Sequence, residues 1–148
     1  MTPEQISIIA DLVRRRSGVM IDADKTYVIE TRLAPVARRE GFTTIGELIA
    51  DLQTRREESL IWAVVEAMAS TETQFFRDRV AFQQLRDDIL PALAKRNGEA
   101  RIWSVGCSTG QEPYSLAMLA EEERGRHPGL KIDILGGDLS ERCTSNWV

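Results

Sequence analysis

The chain has 148 residues, 43% of them hydrophobic, and a formal net charge of −4. That length holds one domain or two small ones with a core, and the acidic balance excludes a general affinity for nucleic acid or an anionic membrane. Two cysteines, Cys107 and Cys143, make no disulfide framework, and no roughly 18-residue apolar run or signal-peptide pattern is present, so a cytoplasmic protein is expected.

Thr2-Pro3-Glu4-Gln5 reads as a helix start, with a capping Thr, a first-turn Pro and a capping-box Gln. Ile6, Ile9 and Val13 follow at helical spacing, and Ser17-Gly18 ends the helix. A second helix is expected from near Asp24 to Glu40, closing at Gly41, with Tyr27, Thr31, Ala34 and Ala37 on one face and Pro35 as a kink. Thr44 to Glu47 is another capping-box spacing, ahead of Leu48 and Leu52. A fourth helix spans about Glu57 to Met68 and buries Leu60, Ile61, Val64, Val65 and Met68. Residues 1–70 therefore read as a small helical bundle.

Ser70 to Asp78 breaks the pattern, being polar apart from Phe75-Phe76. A long helix is expected from Arg79 to Arg96, with Phe82, Leu85, Ile89 and Leu93 aligned, ending at Asn97-Gly98. A buried strand, Arg101 to Val105, follows, then a helix from Glu112 to Gly125. After the loop His127-Pro128-Gly129, a second strand runs from Lys131 to Leu135 and reaches Gly136-Gly137-Asp138. This is the opening of a β-α-β unit, so the strands should pair in parallel through a right-handed crossover.

Chemistry concentrates at three places. Gly106 to Gly110, between strand and helix, lets backbone approach a ligand closely, although a plain connection also uses such residues. Its spacing is not Gly-x-Gly-x-x-Gly, and no Gly-Lys-Ser/Thr is present, which speaks against a nicotinamide oxidoreductase and against a nucleoside triphosphate. Asp138, at a strand end, suits ribose hydroxyls or the capping of a following helix. Glu112 either favours the helix dipole or faces a positive group of a cofactor. Thr71 to Asp78 joins hydroxyls, two aromatics and an Arg; it is either a site segment or a linker that Phe75 and Phe76 pin to the core while Arg77 and Asp78 cap helices.

Thr71-Glu72-Thr73-Gln74-Phe75-Phe76-Arg77, the run Trp103 to Ser115, and Asp138, in that order, resemble the chemotaxis receptor methyltransferase (CheR) family. Two positions depart from its pattern: Thr71 stands for the usual Asn, and Gln111 for the first of two Glu. The resemblance implies a mainly α N-terminal domain (1–70), a linker and long helix (71–98), and the first part of an α/β Rossmann-like S-adenosylmethionine domain (99–148). It implies a protein-glutamate O-methyltransferase that uses S-adenosylmethionine, leaves S-adenosylhomocysteine and needs no metal. Thr71, Thr73, Arg77, Gly106, Ser108, Gly110, Glu112 and Asp138 would bind cofactor, with Arg77 also catalytic.

The implied partners are the cytoplasmic helices of chemotaxis receptors, met by an N-terminal face carrying Arg14, Arg15, Arg16, Arg32, Arg38, Arg39, Arg55 and Arg56; a merely solvated charged face is the alternative. Family members continue with further strands, so the chain reads as a truncated or engineered fragment. An unfinished parallel sheet is expected to self-associate or swap elements. A non-catalytic docking or regulatory module is the rival reading.

Overall fold

A computed structural model describes residues 1–22, 25–96 and 98–145. The chain forms two compact units, Met1–Ser70 and Thr71–Val148. Among the described residues no helix is long and apolar enough to cross a membrane.

The first unit is built from α1 (Pro3–Ser17), α2 (Thr26–Arg39), α3 (Ile45–Thr54) and α4 (Glu58–Met68). Its helix ends follow from local chemistry. Thr2 and Gln5 form a complete capping box at α1, and Gly18, at φ 74°, closes that helix in the left-handed conformation. At α3 the box is only half made: Thr44 accepts from the Glu47 amide, while the Glu47 carboxylate reaches past it to the Thr43 amide. Helix α4 packs on α1 and α2, and α3 on the same pair. Ile9, Val13, Ile29, Leu33, Leu48, Val64 and Val65 are sealed at the centre. The helical bundle and the buried face of α4 are as the periodicity implies.

Helix α2 departs from expectation. Its buried face is Ile29, Leu33, Val36 and Ala37, whereas Tyr27 is 78% exposed and Thr31 points outward. Ala37 of the expected set is buried, but Ile29, Leu33 and Val36 fill the rest of that face because each removes more apolar area from water than Thr31 or Ala34 would. The proposed start at Asp24 lies outside the described residues. Arg32 Nη1 donates to the carbonyls of Met68 (2.8 Å) and Ala69 (3.2 Å), closing the C-terminal end of α4.

The second unit starts with an irregular segment, then α5 (Arg79–Gln84), one π-helical turn (Leu85–Ile89) and α6 (Leu90–Arg96). The single regular helix expected over 79–96 is therefore interrupted. Pro91 has no N–H to give to residue 87, and its ring opposes that carbonyl. The widened turn relieves this, with the Leu90 N–H reaching back to the Leu85 carbonyl. The extra residue rotates the helix, so Leu90 is buried at 1% exposure and Ile89 is left half-exposed. The expected end at Asn97 lies outside the described residues.

Strand β1 (Glu99–Val105) pairs in parallel with β2 (Lys131–Gly137), in register from Glu99↔Lys131 to Val105↔Gly137. Helix α7 (Gln111–Glu123) joins them and packs on β2. A short α8 (Glu141–Thr144) follows, and Asn146, Trp147 and Val148 lie outside the described residues. Strand β1 is not buried on both faces. Ala100 and Ser104 are covered, but Trp103 (66%) and Val105 (70%) stand open on the other face with Leu135. Strand alternation makes this unavoidable once only one face is covered.

Leu33→Ala should lower the stability of the first unit by about 3 kcal/mol, and Tyr27→Ala by less than about 0.5 kcal/mol. Urea denaturation of the two variants checks which face of α2 is buried; equal losses would restore the Tyr27 face.

Candidate functional site

The turn after β1 is stitched to the end of β2. The Gly137 carbonyl accepts from the amides of Gly106 (2.8 Å) and Cys107 (3.1 Å), which extends the parallel ladder into the turn. The Ser108 amide donates to Asp138 Oδ2 at 2.7 Å, and the Ser140 amide to Asp138 Oδ1 at 2.9 Å. Asp138 thus bridges the turn to the start of α8. It meets the glycine turn and the amide of Ser140 but caps no helix: Ser140 is the cap position of α8, which has no side-chain cap bond.

Three turn residues are left-handed: Gly106 (φ 80°), Ser108 (φ 50°) and Gly110 (φ 98°). A Cβ added at Gly106 would meet nothing within 4 Å, so glycine there leaves open space above the backbone. Gly110 caps α7, with the Tyr114 amide donating to its carbonyl at 3.0 Å. Glu112, in the first turn of α7, is held back against β1: Ser104 Oγ donates to its Oε1 at 2.6 Å.

The segment 71–78 is drawn onto this turn. Ser108 Oγ donates to the Thr71 carbonyl at 2.7 Å. Ser115 Oγ accepts from the Phe76 amide at 2.9 Å and donates to the Gln111 carbonyl at 2.6 Å. Phe76 is left-handed at φ 50° and sets its ring edge-on to Phe82, with centroids 5.1 Å apart. Phe75 is 56% exposed, and Asp78 caps α5 by accepting from the Ala81 amide.

Arg77 curls within the segment, its Nη1 donating to the Glu72 carbonyl at 2.8 Å with the Glu72 carboxylate 3.4 Å from Nη2. Thr73 is half-buried between these anchors.

Thr71, Ser108 and Asp138 are thus linked directly, and Gly106, Gly110 and Glu112 frame the same turn. Arg77 is tied to its own segment. Ser108 holds the turn together, its amide donating to Asp138 and its hydroxyl to the Thr71 carbonyl. Sequence reasoning passed over Ser104 and Ser115. Their signal was small polar residues inside an apolar strand and on the inner side of a helix, where a hydroxyl needs a designated partner.

Burial, reinforced by the negative charge of Asp138, raises the Cys107 thiol above its ordinary range. The folded state therefore keeps its proton longer than the unfolded chain. That stability is complete below the unfolded thiol value and is lost as pH rises through the folded one. Urea unfolding at about pH 7.5 and about pH 9.5, either side of the ordinary thiol pKa of roughly 8.5, should show a loss that Cys107→Ala reduces; an identical loss in that variant would remove Cys107 as its source.

The family description "CheR methyltransferase, all-alpha domain" matches residues 4–69, and "CheR methyltransferase, SAM binding domain" matches residues 71–146. Chemotaxis protein methyltransferase 1 of Pseudomonas aeruginosa is 39% identical over 133 residues, 86% of this chain and 48% of that protein. The chemotaxis protein methyltransferase of Borreliella burgdorferi is 32% identical over 147 residues, 95% of this chain and 52% of that protein. For the Escherichia coli chemotaxis protein methyltransferase the figures are 31% over 121 residues, 82% and 41%. The chain spans about half the length of the curated relatives it matches.

Proposed function

Since the chain belongs to the CheR methyltransferase family, we propose that it contributes the helical domain and the first part of the S-adenosylmethionine site of an enzyme that methylates glutamate side chains of chemotaxis receptors. The observation that carries this reading is the glycine turn bonded through the Ser108 amide to Asp138, with open space above Gly106. That arrangement fits the cofactor. A carboxylate has about four lone-pair sites, and the two amides on Asp138 leave others for ribose hydroxyls. Gly106 admits a ligand against the backbone, Gly110 would border it, and Glu112, fixed by Ser104, offers negative charge to a cationic ligand. Thr71 and Thr73 would border the same ligand.

When bound, S-adenosylmethionine supplies a methyl group activated by a positive sulfonium. The protein's task is then positioning. A glutamate side chain, with an ordinary pKa of about 4.3, is already ionised at neutral pH, so no residue of the chain has to remove a proton. Arg77 is the residue we assign to orienting that carboxylate. Its planar fork has five N–H donors, and its hold on Glu72 leaves donors for a second carboxylate. The receptor partner and the cytoplasmic setting belong to the same proposal.

Calorimetric titration with S-adenosylhomocysteine tests the site directly. Saturable binding is expected, weakened at least about ten-fold in Asp138→Ala, which removes a charged hydrogen-bonding group. A folded chain showing no heat of binding would refute the cofactor site. In an enzyme active in methyl transfer that carries these residues, Arg77→Ala should depress methyl transfer far more than cofactor affinity, and unchanged turnover would take Arg77 off the catalytic list.

A further inference from the structure

Segment 71–78 has no regular secondary structure, yet it carries Thr71, Thr73 and Arg77. A backbone of that kind must find hydrogen-bond partners outside a helix or sheet ladder. Two serine hydroxyls supply them. Ser108, 2% exposed, donates to the Thr71 carbonyl at the start of the segment. Ser115, fully buried, accepts from the Phe76 amide near its end, one residue before Arg77.

Neither hydroxyl is committed to the segment alone. Ser115 at the same time donates to the Gln111 carbonyl in the first turn of α7. Ser108 Oγ also contacts Cys143 Sγ at 4.0 Å, and the Ser108 amide donates to Asp138. A hydroxyl donates and accepts together, which Ala cannot do. Ser108 therefore couples the irregular segment to the glycine turn, and Ser115 couples it to the first turns of α7.

Phe76 sharpens the point. At φ 50° it is in a conformation that a non-glycine residue keeps only where its surroundings over-determine it. The Ser115 hydroxyl on its amide and the Phe82 ring against its own ring are those surroundings.

We propose that Ser108 and Ser115 form a two-point clasp that fixes the backbone of residues 71–77 on the cofactor turn. They are positioning residues: Ser115 sets where Arg77 leaves the segment, and Ser108 sets where Thr71 enters it. This rests on the methyltransferase reading for its purpose, but the clasp itself is measurable without cofactor.

The test is amide hydrogen exchange on the 148-residue chain, read at Phe76 and across 71–78, paired with S-adenosylhomocysteine titration. In Ser115→Ala the Phe76 amide should exchange roughly ten-fold faster, as expected for losing about one net hydrogen bond, while the β1 and β2 amides keep their protection. S-adenosylhomocysteine affinity should fall several-fold in the same variant. Ser108→Ala is the second arm. It removes only the hydroxyl, and it should loosen the 71–73 end of the segment while leaving the Ser108 amide on Asp138.

Unchanged exchange at Phe76 in Ser115→Ala, or at 71–73 in Ser108→Ala, overturns the clasp. Faster exchange with full S-adenosylhomocysteine affinity overturns its positioning role. An unsubstituted chain that binds no S-adenosylhomocysteine, with the exchange pattern as expected, defeats the cofactor reading while supporting the clasp.

Discussion

The second unit depends on the bond between the Ser108 amide and the Asp138 carboxylate. It joins the turn that leaves β1 to the residue that ends β2, across 30 positions of sequence. The Gly137 carbonyl adds two more amides from the same turn. Together they hold the turn against the sheet end in left-handed conformations at Gly106, Ser108 and Gly110 that a free loop would not retain. Everything proposed for ligand binding is arranged around that junction. Glu112 is steadied from β1 by Ser104, and the 71–78 segment is held through Ser108 and Ser115. In the proposed site Asp138 is therefore a structural and a ligand-facing residue at once. A carboxylate can fill both roles because it accepts more than one hydrogen bond per oxygen.

The same unit shows how a sheet with one covered face distributes its side chains. Ala100, Ile102 and Ser104 of β1 lie on the better covered face, and Ser104 uses its burial to hold Glu112. Trp103, Val105 and Leu135 stand on the other, where Arg101 and Asp133 face one another across the strands at 3.9 Å. So exposed a pair adds little stability. The apolar trio is the more consequential feature, since large uncovered apolar groups on a sheet mark surface that is buried when further structure lies on it.

In the helical unit, charge is largely settled locally. Arg16 makes a two-pronged contact with Glu58, at 3.0 and 2.6 Å, linking α1 to α4. Arg14 and Arg15 both lie near Asp11, and Arg55 near Asp51. Arg32 faces the end of α4. The arginine face thus consists in good part of side chains already matched to acids or carbonyls. A receptor helix docking there would have to exchange these contacts rather than fill a vacant positive surface.

Much of this was legible in the amino-acid sequence. Capping boxes, helix-ending glycines and 3.6-residue periodicity located α1, α3 and α4, because those signals are local and each acts within one turn of chain. The run Trp103 to Ser115, followed by Asp138, marked the strand–turn–helix unit and its family for the same reason: glycine and proline constrain backbone wherever they stand. Two things were decided only in three dimensions, and one local signal, Pro91, was passed over. The buried face of α2 went to Ile29 and Leu33 because competition for the core is settled by area against α3 and α4, which follow it in the chain. The helix over 79–96 gained its π turn where Pro91 opposed a carbonyl four residues back, and that shift moved Leu90 inward in place of Ile89. The partners of Ser108 and Ser115, 37 and 39 residues away, emerged only when the irregular segment met the turn, since a hydroxyl carries no sign in sequence of which distant backbone group it will satisfy.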